Sequence, residues 1–202
     1  FCETKCPYCD FNTYTAIESL IPSYISALKT ELSLWGSRLG RPRVTTVFFG
    51  GGTPSYLPAA EVESLLKHIR TCCNLDIVQE ITLECNPGDV TLDKLSSYLD
   101  SGVNRLSIGV QSFSDSLLRL LGRRHTSSDA IRSYKLAIES GFENVSIDLM
   151  YGLPNQTIQD WNTTLEIARG MEPAHVSMYC LTLEDGTPMK KQVQIGTLPP
   201  PD

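Results

Sequence analysis

The sequence has no apolar run approaching the roughly 18 residues that a membrane-spanning helix needs, and no membrane span is expected. It has no surplus of positive charge. Its 17 Lys and Arg stand against 23 Asp and Glu, for a net charge of −6. Nucleic acid binding needs a basic footprint, so nucleic acid is excluded as a main partner. No stretch reads as a secretory signal. A disulfide framework is also missing: the 7 cysteines are odd in number, include the adjacent pair Cys72-Cys73 and suit a reducing compartment. A cytoplasmic location is expected on these grounds. What is present is 202 residues of 41% hydrophobic composition, enough for one sizeable core and short for two domains. Residues 1–202 are therefore read as one core domain. The abrupt start and the Leu-Pro-Pro-Pro-Asp end are expected to be cuts from a longer protein.

Three of the cysteines fall within the first nine residues. Cys2, Cys6 and Cys9 have the spacing C-x3-C-x2-C, with Tyr8 just before the last. A short loop of this kind can wrap three thiolates around one face of an iron–sulfur cube. A 4Fe-4S cluster takes four ligands, so one iron would be left to a ligand that is not protein. The alternative is a zinc knuckle, which needs a fourth ligand; the next cysteine is Cys72. Cys72, Cys73, Cys85 and Cys180 share no spacing and are read as buried or half-buried thiols.

Downstream, strand and helix patterns alternate. The spacing predicts a helix over residues 21–35 with Ile21, Ile25, Leu28, Leu32 and Trp35 inward, closed by Gly36. A buried strand over 44–49 runs into Gly50-Gly51-Gly52-Thr53-Pro54. A helix follows with Val62, Leu65, Leu66 and Ile69 on one face, then a strand over 81–84 and the turn Asn86-Pro87-Gly88. Thr91 caps a helix with the stripe Leu92, Leu95 and Leu99, stopped by Gly102. A strand over 105–110 precedes a short helix opened by Ser114. Ile131, Tyr134 and Ile138 mark a helix over 128–140. A strand over 144–149 and a turn at 151–154 come next. Thr157 caps a helix with Ile158, Trp161, Leu165 and Ala168 inward, and 175–181 is the last strand.

This order implies parallel strands with crossover helices. Residues 101–109 and 140–148 echo each other, identical at both serines, the glycine and the isoleucine, which is weak support for repeated units. Five strands can be counted, and residues before Cys2 would supply a sixth. A partial barrel of (β/α)6 type is expected, with a doubly wound open sheet as the rival.

Ligands of parallel α/β folds collect at the C-terminal ends of the strands. Those ends carry the cysteine loop, the Gly50–Pro54 loop, Glu84, Gln111, Asp148 and Thr182. Successive glycines bring backbone close to a ligand, although they also serve tight turns. Glu84 and Asp148 end apolar runs, where a carboxylate needs a partner: an ammonium and ribose hydroxyls of a ligand, or a salt bridge and a helix cap. Arg123 and Arg124 follow a helix end and are either solvated or aimed at a ligand carboxylate. His125 can be an ordinary loop histidine.

Together these residues resemble the radical SAM superfamily. Glu84-Cys85-Asn86-Pro87, the run from Arg105 to Phe113, Leu121-Gly122-Arg123-Arg124-His125 and the run from Ile147 to Pro154 are similar to its coproporphyrinogen oxidase-like branch. The resemblance implies a radical SAM partial TIM barrel with its first strand truncated in this chain and a C-terminal domain outside it. It implies that Cys2, Cys6 and Cys9 hold a 4Fe-4S cluster, and that the methionyl amine and carboxylate of S-adenosyl-L-methionine (SAM) complete it. It places Tyr8 at the adenine by its backbone, Gly51, Gly52 and Thr53 along the amine, and Glu84 as a further SAM contact. Gln111, Arg123 and Asp148 fall at ribose and carboxylate contacts, and Thr182 falls near the adenine. It further implies that one electron cleaves the sulfonium bond to give a hydrogen-abstracting 5′-deoxyadenosyl radical, with the chemistry belonging to the cofactors. No catalytic residue is assigned beyond them.

The branch holds oxygen-independent coproporphyrinogen III oxidases and HemW-type haem chaperones. The oxidases carry a cysteine two residues after the third ligand, where this chain has Phe11; Asp10-Phe11-Asn12 and the Leu121–His125 run look more like the chaperones. The resemblance therefore favours a haem chaperone of porphyrin and haem metabolism, with the oxidase as alternative and net catalysis open. Implied partners are SAM, haem or coproporphyrinogen III, a reductant such as flavodoxin or ferredoxin, and a haem-accepting client protein. No histidine or cysteine lies in a haem-binding motif.

Overall fold

The computed structural model describes residues 1–201. Five strands form one parallel sheet in consecutive order: β1 (Thr46–Phe49), β2 (Glu80–Cys85), β3 (Arg105–Gln111), β4 (Asn144–Tyr151) and β5 (His175–Cys180). The order never reverses, so there is no switch point and the doubly wound alternative fails. Helix α1 (Ile21–Arg38) precedes β1. The crossovers are α2 (Ala59–Cys72), α3 (Leu92–Ser101), the pair α4 (Asp115–Leu120) and α5 (Ser127–Glu139), and α6 (Ile158–Met171). A last helix, α7 (Pro188–Gln194), follows β5. No helix among the described residues is long and apolar enough to cross a membrane.

The two faces of the sheet separate by the period of two along each strand. Ile81, Leu83, Leu106, Ile108, Val110, Val145, Ile147 and Leu149 are nearly or wholly excluded from water and join the helices in one core. The alternate positions form polar rows across the sheet: Thr82, Arg105 and Asn144 pair in register, then Glu84, Ser107, Ser146 and His175, then Gly109, Asp148 and Ser177. The sequence echo lies side by side in this register, since Leu106 to Gly109 pair with Val145 to Asp148 in order. The repeated pattern thus builds neighbouring strands with the same inward face.

Local sequence sets most helix ends. The Thr91 side chain accepts from Lys94 N, and Gly102 (φ 97°) stops α3. Thr126 with Asp129, and Thr157 with Asp160, form reciprocal capping boxes on α5 and α6.

Several expectations are corrected. Helix α1 runs through Gly36 to Arg38, because Gly36 serves packing: a Cβ there would stand 2.6 Å from the Cys72 carbonyl oxygen. Trp35, Leu92, Ile138 and Ile158 were expected inward and are exposed, as terminal-turn positions at the rim of each stripe. The first strand begins at Thr46 and is not buried; Phe48 is 59% exposed on the edge strand. Cys180 is exposed rather than buried. Helix α7 was not foreseen, since only Met189 among its seven residues is buried. Met189 sits in a second small core with Leu117, Leu121, Met150, Leu153 and Leu181, against which Tyr8 packs.

Candidate metal and cofactor centre

At the C-terminal ends of the strands lies a cavity of about 410 Å³. Cys2, Cys6 and Cys9 line it on one side, and Glu84, Gln111, Asp148 and Thr182 line it from the strand ends. Tyr8, Gly52, Thr53 and Arg123 also line it. Gly51 does not; its N–H donates to Glu84 Oε2 at 3.1 Å and so orients a residue that does.

The cysteine loop is closed by its own backbone and clamped from outside. Cys2 N donates to the Tyr14 carbonyl and Cys9 N to the Cys6 carbonyl, both at 3.0 Å. Lys5 Nζ reaches the carbonyls of Phe11 and Thr13. The glycine-rich loop holds one end: Thr53 N donates to the Phe1 carbonyl at 2.9 Å, and Thr53 Oγ1 lies 3.3 Å from Cys2 Sγ. Gly52, at φ 60°, leaves room that a Cβ would take from the Phe1 carbonyl at 2.8 Å. Met189 N, at the start of α7, donates to the Pro7 carbonyl at 2.9 Å.

Two half-buried carboxylates, Glu84 and Asp148, face the cavity. Ser107 Oγ donates to both oxygens of Asp148, at 3.1 and 3.2 Å. Burial pushes both carboxyls above their usual range, against the hydrogen bonds from Gly51 and Ser107, and the nearby Asp148 charge adds to the rise at Glu84. A cation bound beside them would favour the ionised forms.

Arg123 crosses from the β3 end to the cysteine loop. Its Nη2 donates to the Gly109 carbonyl at 2.7 Å and its Nη1 lies 3.7 Å from Cys6 Sγ, while Nε is buried without a partner. An unpaired guanidinium donor beside a cavity is suited to a ligand carboxylate. Gln111 follows an irregularity in the β3 register and has φ 67°, an uncommon conformation for a residue with a Cβ.

His125 lies outside the cavity. It is 3% exposed and its Nε2–H donates to the Val110 carbonyl at 3.0 Å. Burial, reinforced by the Arg123 charge, holds its pKa down at about 4, so the ring is neutral at physiological pH. It is a structural latch. Arg124, by contrast, is not a solvated arginine: it binds Glu3 and Asp89. Ser107, Asn86, Tyr179 and Cys180 also line the cavity without having been singled out. Ser107 sits one register row below Asp148, a relation legible only once the strands are paired.

The residues fit a cluster better than a single ion. Zinc needs its ligands around one point, and among the described residues no three or more His, Cys, Asp or Glu converge in that way. Cluster thiolates each hold a different iron and need only share a face.

The model of the radical SAM superfamily matches residues 1–168. The chain is 39% identical over 199 residues to the heme chaperone HemW of Bacillus subtilis, covering 98% of this chain and 52% of that protein. It is 41% identical to heme chaperone HemW of Escherichia coli, over 93% of this chain and 50% of the relative. It is 42% identical to the mouse mitochondrial radical S-adenosyl methionine domain-containing protein 1, over 100% and 46%. The chain therefore spans about half the length of these relatives. Among solved structures, coproporphyrinogen III oxidase (HemN) from Escherichia coli superposes with a TM-score of 0.83 at 28% identity, over 98% of this chain and 50% of that one.

Proposed function

The chain belongs to the radical SAM superfamily, and we propose that it is the cofactor-binding core of a haem chaperone that keeps a 4Fe-4S cluster and SAM. Membership implies those two cofactors and a reductant. Cys2, Cys6 and Cys9 would hold three irons. Arg123 would receive the SAM carboxylate, Glu84 the ammonium, and Gln111 and Asp148 the ribose, with Tyr8, Gly52, Thr53 and Thr182 along the rest of the ligand. Gly51 acts through Glu84. When bound, the cofactors supply one-electron chemistry at the SAM sulfonium; the protein binds, orients and excludes water.

The observation that carries the reading is the convergence of three cysteines, two half-buried carboxylates and an unpaired arginine donor on one cavity. The choice of chaperone rests on the 39% and 41% identity to heme chaperones and on Phe11. Phe11 is 63% exposed and lines the cavity at the place where the branch's oxidases carry cysteine. The structural match to HemN supports the second reading, oxidative decarboxylation of coproporphyrinogen III. Haem, a client protein and a flavodoxin- or ferredoxin-type donor are part of this proposal, as is a compartment: cytoplasmic in bacteria, with the mouse relative mitochondrial by its name.

The test is anaerobic reconstitution of the full-length protein with iron and sulfide. About four irons and four sulfides per chain are expected, and loss of binding on replacing Cys2, Cys6 or Cys9 by Ala. Incubation with SAM, reductant and coproporphyrinogen III should yield no protoporphyrinogen, while haem should bind. Rapid vinyl formation would sink the chaperone reading.

A further inference from the structure

Glu3, immediately after Cys2, is tied to the strand-end loops by a chain of polar contacts that ends at the cavity wall. Arg124 Nη1 binds the Glu3 carboxylate, and Arg124 Nη2 donates to Asp89 Oδ1 at 3.0 Å. The other Asp89 oxygen accepts from Ser55 Oγ at 3.0 Å. Ser55 Oγ in turn accepts from Asn86 N at 3.0 Å. Ser55 is wholly buried just past the glycine-rich loop, and Asn86 lies two residues beyond Glu84. The loops after β1 and β2 and the turn between α4 and α5 are thereby joined to the cysteine loop through one guanidinium.

We propose that Arg124 is a positioning residue: it fixes the cysteine loop over the strand ends, and so sets where the thiolates stand relative to Glu84 and Asp148. The proposal rests on the cluster-and-SAM reading of the cavity.

The two halves of the bridge differ in kind. The Asp89 side chain is 8% exposed and Arg124 21%, so that pair is desolvated, and removing either partner strands a buried charge. Glu3 is 50% exposed. Its removal leaves Arg124 paired with Asp89 and costs little stability, but it frees the loop. Burial opposes the Arg124 charge, yet the hydrogen bond and charge of Asp89, with Glu3, outweigh it and hold the guanidinium above its ordinary pKa. Lysine, a single point charge on a flexible stem, does not reproduce a fork that serves two fixed carboxylates. The sequence neighbour Arg123 points elsewhere, with Nη2 on the Gly109 carbonyl and Nη1 beside Cys6 Sγ.

The test uses full-length Glu3→Ala, Arg124→Lys and the double variant. In cluster-free protein, iodoacetamide alkylation of Cys2, Cys6 and Cys9 is followed by mass spectrometry, with half-buried Cys72 as internal reference. In reconstituted protein, SAM affinity and the SAM-induced change in the EPR spectrum of the reduced cluster are measured. Both single variants should raise loop alkylation relative to Cys72 by about threefold or more. SAM affinity should weaken by about three- to tenfold, the scale of one charge-assisted hydrogen bond lost from the support. The EPR change should be altered, and the double variant should add little. Unchanged alkylation and EPR response, with at most a lower melting temperature, overturn the proposal and leave Arg124 a brace. Failure of the wild type to take up a cluster overturns the cavity reading instead, while the alkylation comparison still decides whether Arg124 holds the loop.

Discussion

Arg123 Nη1 lies 3.7 Å from Cys6 Sγ, while its Nη2 is fixed on the Gly109 carbonyl at 2.7 Å. One side chain therefore ties the β3 end to a cysteine loop whose Cys6 lies 117 residues before Arg123 in sequence. Because Nε remains buried and unpaired, the guanidinium has donor capacity that the protein alone does not use. Replacing Arg123 by Lys should keep a positive charge but lose the planar fork. SAM binding to the reconstituted protein should weaken by about tenfold or more, the scale of a charge-assisted bidentate contact. Iron content should be retained. Equilibrium dialysis under nitrogen measures the affinity, and an unchanged value would remove Arg123 from the ligand set.

Glu84 and Asp148 give the site a pH dependence of defined sign. Burial raises both carboxyls above their unfolded values. The native state then binds protons more tightly than the unfolded chain. The stability contributed by these groups is full below the ordinary carboxylate range, about pH 4, and is lost as pH rises through the raised folded values. Asp129 and Asp160, held down by the hydrogen bonds of their capping boxes, act in the opposite sense at lower pH, so the effect is read as a difference between proteins. Glu84→Gln should be less sensitive than wild type to rising pH in urea unfolding of the cofactor-free protein. SAM affinity, which needs the ionised form for its ammonium, should rise with pH over the same window in wild type. It should be weaker and flatter in Glu84→Gln. A wild-type affinity independent of pH between about 4 and 8 would contradict the assignment.

Where the chain's information is local, it was legible. Thr91 and Thr157 mark helix starts that the structure keeps, and the alternation along β2, β3 and β4 fixes their inward faces. The expected strand-end residues Glu84, Gln111, Asp148 and Thr182 do line one cavity for the same reason: parallel strands in consecutive order bring their ends to one rim. What was not legible depends on contacts between distant segments. Arg124 looked like an ordinary loop arginine because neither Glu3 nor Asp89 is near it in sequence. Trp35 and Ile158 fit helical stripes, yet periodicity cannot tell how far along a helix the partner surface extends. Gly36 resembles a helix stop in one dimension and is a packing contact in three.

The cap of α6 separates stability from the site. Thr157 accepts from Asp160 N at 3.1 Å, and its own N–H donates to Asp160 Oδ2 at 2.8 Å. Thr157→Ala should lower unfolding free energy by about 1 kcal/mol. Because the cap touches no cavity residue, iron content and SAM affinity of the folded variant should match wild type. A parallel loss of SAM binding would show that α6 and the cavity are coupled.

Gly122 tests whether the cysteine loop needs its exact seat. Its φ is 66°, and a Cβ there would stand 2.6 Å from Pro7 Cδ and 3.5 Å from Pro7 Cγ. Pro7 lies between Cys6 and Tyr8, and its ring has no rotamer by which to withdraw. Its carbonyl is already held by Met189 N at 2.9 Å. Gly122→Ala therefore combines backbone strain with overpacking, for a cost of about 1–3 kcal/mol, and the push falls on the segment that carries the thiolates. Gly186→Ala is the control, since Gly186 has φ 83° with nothing within 4 Å of its Cβ position. It should show the backbone cost alone, about 1 kcal/mol. Both proteins should fold, but Gly122→Ala should retain less iron after reconstitution and desalting, and Gly186→Ala should retain as much as wild type. Equal iron retention at unequal stability would mean that the loop tolerates displacement at Pro7, and that its outer clamps, rather than its packing on Gly122, determine where the thiolates stand.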